Sequence, residues 1–221
     1  MQIDTADMEQ ALLRQHGTEL YYGPKGRVIL NKDGTVMSDV QDGEALCTIL
    51  QRLGLSKHTL FSLKSQEAAD AVCRAYGLGD QMPCTQAVYL KSAPPEMQPC
   101  DIRRLGEEYA ETLAAHYHPE SDTLPYLKER IAAGQMWGLF EDGRLAGFIG
   151  IHSEGSMGLL EILPEFRRRG YGYQLEAYLI ALHLQRGWTP YCHIVYGNEA
   201  SLRLQEKLGL SFAKLPAIWV S

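Results

Sequence analysis

Leu159-Leu-Glu-Ile-Leu-Pro-Glu-Phe-Arg-Arg-Arg-Gly-Tyr-Gly172 reads as an apolar strand that turns at Pro164 into a basic loop punctuated by glycine. From Tyr173 to Arg186, residues Leu175, Tyr178, Leu179, Leu182 and Leu184 fall close to helical spacing, and Gly187 supplies a stop. The first N–H groups of such a helix have no intrahelical acceptor. Together with the helix dipole and nearby arginines they make a site for phosphate oxygens. Gly170 permits a left-handed backbone at the turn, and Gly172 removes a side chain where backbone and phosphate approach closely. The implied ligand carries a pyrophosphate.

Beyond Trp188-Thr-Pro190, Tyr191-Cys-His-Ile-Val-Tyr196 is aromatic and β-branched enough for a buried strand. Gly197-Asn198 then opens a second helix, Glu199 to Leu208, ended by Gly209. Strand, phosphate-type loop, helix, strand and helix follow in order. These residues resemble the GNAT superfamily of acyl-CoA-dependent N-acyltransferases, whose strand ends in a Pro before R-x-x-G-x-G/A, matched by Arg167, Gly170 and Gly172. A second family feature, an Asn followed by a helix ending in K-x-G-F, is met by Asn198, Ser201, Leu204, Lys207, Gly209 and Leu210. Arg-Gly-Trp-Thr-Pro190 and Asn198-Glu-Ala-Ser-Leu-Arg-Leu-Gln-Glu-Lys-Leu-Gly209 look most like the branch of glycine N-acyltransferase and the FR-type acetyltransferase domain.

The resemblance covers residues 101–221 and implies an α/β fold, a mixed twisted sheet flanked by helices. Asp101-Ile-Arg-Arg-Leu is its first strand, Gly106 to His116 and Leu124 to Ala133 are helices, and Met136–Phe140 with Arg144–Ile151 form a hairpin around Asp142-Gly143. The donor it implies is acetyl-CoA or another acyl-CoA, held at Arg167, Arg168, Arg169, Gly170, Tyr171, Gly172 and Tyr173, with Asn198 and Ser201 from the second motif. The thioester oxygen falls to a backbone N–H near Ile162 or Leu163. The acceptor is a small-molecule amine or an amino acid.

Amine attack on a thioester needs a base. Glu161 is the first candidate, the one ionisable residue within the apolar stretch Leu159–Leu163. His152 and Glu154, at the end of the neighbouring strand, are second candidates. His193 reads as a core residue and His183 as a surface or interface one. Many family members place an acidic Tyr where this chain has Gln205, so the general acid is unassigned and a non-catalytic acyl-CoA-binding or sensing protein is the rival reading.

Ser92-Ala-Pro-Pro-Glu-Met-Gln-Pro99 breaks regular structure, so residues 93–100 read as a linker after an N-terminal α/β domain, 1–92. There, Arg27–Leu30 and Thr35–Met37 form a hairpin, Glu44–Leu53 a helix, and His58–Leu63 and Cys84–Leu90 strands. Glu67-Ala68 and Gly77-Leu78 recur 132 residues later as Glu199-Ala200 and Gly209-Leu210, each pair of motifs ahead of an apolar strand. This suggests a degenerate copy of the same fold, without a phosphate loop of its own.

The 221 residues, 45% hydrophobic and 22% charged, suit an ordinary globular protein. A net charge of −6 argues against a nucleic-acid partner, and no apolar run approaches a membrane span. The opening residues lack the basic start and apolar core of a signal peptide, which points to the cytoplasm. Five cysteines without a C-x-x-C pair indicate reduced thiols and no metal site. His116-Tyr-His118 lacks further ligands at suitable spacing and reads as an exposed helix end.

Overall fold

The computed structural model describes residues 2–55, 57, 58, 60–117 and 123–221. The chain forms two compact units, Met1–Leu90 with Tyr191–Ser221, and Lys91–Pro190. No described helix is long and apolar enough to cross a membrane.

In the first unit the order is α1 (Ala6–Leu13), β1 (Gly17–Gly23), β2 (Gly26–Asn31), β3 (Val36–Ser38), α2 (Gly43–Arg52), β4 (Phe61–Leu63), α3 (Gln66–Tyr76) and β5 (Gln81–Val88). The second unit carries β6 (Asp101–Arg104), α4 (Ala110–His116), α5 (Leu124–Ala132), β7 (Met136–Glu141), β8 (Arg144–Ile151), β9 (Met157–Ile162) and α6 (Tyr171–Gln185). The chain then returns to the first unit with β10 (Tyr191–Val195), α7 (Glu199–Leu208) and β11 (Ser211–Val220). Strands of the first unit lie in the order β1-β2-β3-β4-β11-β5-β10, and those of the second in the order β9-β8-β7-β6.

The helix boundaries follow from local chemistry. The Ser65 hydroxyl accepts the Ala68 N–H at 3.0 Å to open α3, and the Asn198 carboxamide oxygen accepts the Ser201 N–H at 3.1 Å to open α7. Both helices stop at a left-handed glycine, Gly77 and Gly209. The paired motifs 132 residues apart thus mark two strand-helix-strand segments, β4-α3-β5 and β10-α7-β11. These interleave: β11 pairs antiparallel with both β4 and β5, and β5 pairs antiparallel with β10.

That pairing explains why residues 191–221 belong to the first compact unit, whereas the sequence reading groups them with 101–190. Backbone donors and acceptors of β10 and β11 are satisfied by β5 and β4, far away in sequence. Phe61, Leu63, Ile218 and Val220 form a buried core with Leu46, Leu50 and Val72 of the covering helices. In the second unit Leu113, Leu127, Trp137, Phe148, Leu175 and Leu179 are buried. The β7–β8 hairpin turns at Asp142 and Gly143, with φ of 50° and 78°, the conformation favoured by an Asp-Gly turn.

Candidate active site in the second unit

The strand-loop-helix segment lies wholly in the second unit. After β9 a single 3-10 turn, Pro164–Phe166, delivers the chain to Arg167, and α6 starts at Tyr171. Arg168 and Gly170 are left-handed, with φ of 68° and 83°. A Cβ on Gly170 would meet nothing within 4 Å, so its backbone conformation, not lack of space, favours glycine there. No side chain caps this 15-residue helix and no acidic residue stands in its first turn. Uncapped N–H groups beside three arginines fit a phosphate-bearing cofactor.

The arginines are already engaged. Arg167 donates through Nε to the Ile162 carbonyl at 3.0 Å and through Nη2 to Glu161 Oε1 at 3.0 Å. Arg169 donates to Glu141 Oε2 at 2.6 Å and to the Glu165 carbonyl at 3.1 Å. The Tyr171 hydroxyl donates to the other oxygen of Glu141. This hydrogen bond, reinforced by Arg169, holds the Glu141 carboxyl below its usual range; it also raises the Tyr171 phenol. Arg168 between them is exposed.

β9 is bulged. Gly147 faces Ile162 and Phe148 faces Glu161, but Gly150 faces Gly158, so Leu159 and Leu160 together oppose Ile149. Leu159 takes a φ of 54°, uncommon for a residue with a branched side chain. The Leu163 N–H is donated to the Ala146 carbonyl at 3.0 Å. Of the two residues expected near the thioester oxygen, Leu163 therefore has a committed N–H. Antiparallel alternation turns the backbone groups of Ile162 to the opposite edge, where its carbonyl accepts from Arg167.

The other two base candidates stand at the far end of β8. The Tyr126 hydroxyl, on α5, accepts the Ser153 N–H at 3.2 Å and lies 2.9 Å from His152 Nδ1. The phenol thus occupies Nδ1 and leaves Nε2 as the other nitrogen of the ring. A Cβ on Gly158 would fall on that Nε2, so glycine in β9 makes room for the ring. Glu154 is 6% exposed and accepts the Ser156 hydroxyl. Burial, then the charge of Glu154, pushes the Tyr126 phenol up to about 12. Burial also raises the Tyr117 phenol, followed by the charges of Glu161 and Glu154, which sets Tyr117 within electrostatic reach of both carboxylates.

Glu161, Glu154 and His152 thus share a neighbourhood with two tyrosines that sequence reasoning passed over. Tyr117 lies inside the His116-Tyr-His118 triplet, of which His118 falls outside the described residues. Tyr126 carried no local signal, because its partner is 26 residues away. In the first unit, Asn198 serves as the α7 cap, Ser201 supplies the capped N–H, and Gln205 is 1% exposed. His193 lies with its side chain 6% exposed, as a core residue should. His183 is also buried, its Nδ1 2.8 Å from the Leu179 carbonyl and its ring edge-on to Trp188, so it is an internal residue and not the surface one expected.

Residues 136–220 match the family model of FR47-like proteins. No curated protein sequence matches the chain. Among solved structures, a Drosophila protein is 22% identical with a TM-score of 0.67, over 88% of this chain and 73% of that one. An acetyltransferase of the GNAT family from Colwellia psychrerythraea is 15% identical with a TM-score of 0.56, over 98% and 95%. A tandem GNAT protein from the clavulanic acid biosynthesis pathway is 14% identical with a TM-score of 0.50, over 98% and 87%. The chain therefore has the fold of the GNAT acetyltransferases, and its residues 136–220 are FR47-like.

Proposed function

We propose that this protein is an acyl-CoA-dependent N-acyltransferase that moves the acyl group of acetyl-CoA, or of another acyl-CoA, to a primary amine. The observation that carries this reading is the uncapped N-terminus of α6, opened by left-handed Gly170 and flanked by Arg167, Arg168 and Arg169. Those N–H groups and Arg168 would hold phosphate oxygens. An acyl-CoA bound there would supply the thioester carbonyl that the amine attacks. The Ile162 N–H, on the edge of β9 turned from β8, is assigned to the carbonyl oxygen.

Glu161 is assigned to take the proton from the acceptor amine, because its carboxylate neighbours Ile162 on the same strand. His152, hydrogen-bonded to Tyr126 through Nδ1, and the buried Glu154 stand as the second pair of proton acceptors. The acceptor is a small amine or an amino acid, as in the glycine N-acyltransferase branch. Gln205 favours the second reading, a protein that binds acyl-CoA without turnover, since a carboxamide delivers no proton.

The two readings separate in one assay. Purified protein with acetyl-CoA is offered a panel of amines and amino acids while released thiol is followed. Thiol released in proportion to acylated amine, and lowered in Glu161→Gln, supports the enzyme. Acyl-CoA binding with no thiol from any amine contradicts it in favour of the sensor.

A further inference from the structure

The two arginines that flank Arg168 are held differently. Glu141 is gripped at both oxygens, by Arg169 and by the Tyr171 hydroxyl, and Arg169 is tied down again at the Glu165 carbonyl. The Glu161 carboxylate has Arg167 as its one hydrogen-bond partner among the described residues, through a single oxygen at 3.0 Å. The Arg167 side chain is 56% exposed and that of Glu161 28%, so water competes for the pair. The same guanidinium covers the Ile162 carbonyl. One flexible side chain therefore occupies the carboxylate proposed as base and a carbonyl of the strand edge beside it.

We infer that Arg167 is a ligand-released latch: a phosphate at the head of α6 draws its guanidinium away and thereby frees Glu161 and the Ile162 carbonyl. This rests on the acyl-CoA reading and adds a coupling to it. A guanidinium released from a carboxylate keeps its charge and exchanges one oxyanion for another, whereas Glu161 recovers the oxygen that Arg167 held. Before a cofactor arrives, one oxygen of the base is occupied. Arg169 does not share this role, because moving it would strip Glu141 of one of its two donors and leave the Tyr171 contact behind.

The coupling is reciprocal. If Arg167 must leave Glu161 to meet the phosphates, Glu161 competes with the cofactor, and removing its charge tightens binding. Free CoA, which carries no acyl group and starts no turnover, is the probe. Its dissociation constant is measured by calorimetry for the wild type, Glu161→Gln, Arg167→Ala and the double variant, closing a double-mutant cycle. Glu161→Gln is isosteric on a partly exposed strand position, and circular dichroism checks its fold. The expected gain in Glu161→Gln is about two- to fivefold, the size of an exposed ion pair, and it vanishes when Arg167 is already alanine. Arg167→Ala alone weakens CoA.

An unchanged or weaker affinity in Glu161→Gln overturns the latch. So does an equal gain in both backgrounds, which would be a general effect of removing negative charge. A wild type that fails to bind CoA at all overturns the acyl-CoA reading itself, and the latch falls with it.

Discussion

Replacing Lys64 by methionine tests how the first unit is held together. Its ammonium lies 2.6 Å from Asp7 Oδ2, with side-chain exposures of 1% and 0%. Gln86 Oε1 accepts from Lys64 at 3.3 Å and lies 2.9 Å from His193 Nε2, which is 3.5 Å from the same Asp7 oxygen. Burial alone would raise the Asp7 carboxyl, but the Lys64 charge, followed by His193, holds it far below the usual carboxylate range. Methionine keeps the length and removes the charge, leaving Asp7 an anion in the core. Breaking a buried pair on one side costs about 3–5 kcal/mol, whereas neutralising both partners is close to neutral. For a chain of this length that lowers the thermal midpoint by roughly 6–20 °C.

Chemical denaturation followed by tryptophan fluorescence reports the change, because one of the three indoles, Trp219, sits 5.7 Å from the His193 ring. The double variant Asp7→Asn/Lys64→Met should recover most of the loss. Lys25→Met, which removes an exposed partner of Asp42, should cost no more than about 1 kcal/mol. Since the folded Asp7 carboxyl is depressed, its contribution is present above the ordinary value of 3.8 and fades as pH falls below it. The penalty of Lys64→Met is therefore largest near neutral pH and shrinks toward acid. A loss under about 1 kcal/mol, or a double variant no more stable than the single, would refute the reasoning.

Other outcomes follow from the same contacts. Gly170→Asp places a carboxylate at the head of α6, opposing a phosphate about 4 Å away by about 1–4 kcal/mol, so CoA affinity drops at least fivefold. Gly170→Asn tolerates the same left-handed backbone without the charge and should bind far better, and equal loss in both variants would show that geometry, not charge, is at stake. Tyr126→Phe removes the partner of His152 Nδ1 and the acceptor of the Ser153 N–H, at an expected cost of about 1–2 kcal/mol in stability. It also frees the imidazole to change tautomer, visible in nitrogen-15 spectra, and an unchanged His152 tautomer would sink that assignment. Burial pushes the Cys84 thiol up to about 12 against the pull of Lys64. At pH 8 only about one molecule in ten thousand carries the thiolate, so iodoacetamide should reach Cys84 after unfolding and not before.

The segment from Leu159 to Gly172 could be read from sequence because its signals are local. A β-turn residue pair, a glycine with positive φ and a helical period each sit within a few neighbours, as they do at Asp142-Gly143 and Gly209. The base candidates were proposed on local signals too, Glu161 as an ionisable residue in an apolar strand and His152 and Glu154 as residues at the end of its neighbour. Their partners were not. Arg167 and Arg169 read as free cations, yet carboxylates on β9 and β7 hold them, a pairing fixed by the fold. Likewise α1 gave no helical signal, since its buried face includes Asp7 and Gln10, polar residues whose burial depends on Lys64 and Arg14. The grouping of β10 and β11 with the first unit rests on backbone pairing with β5, which side-chain pattern does not encode.

The central claim is that the head of α6 receives an acyl-CoA, and isothermal titration of the unmodified chain with acetyl-CoA tests it without knowledge of the acceptor. The account predicts saturable one-to-one binding with a dissociation constant on the order of micromolar, weakened by added salt as phosphate contacts require. No heat with acetyl-CoA, free CoA or a longer acyl-CoA would contradict it, and Arg167–Gly172 would then be an ordinary basic turn.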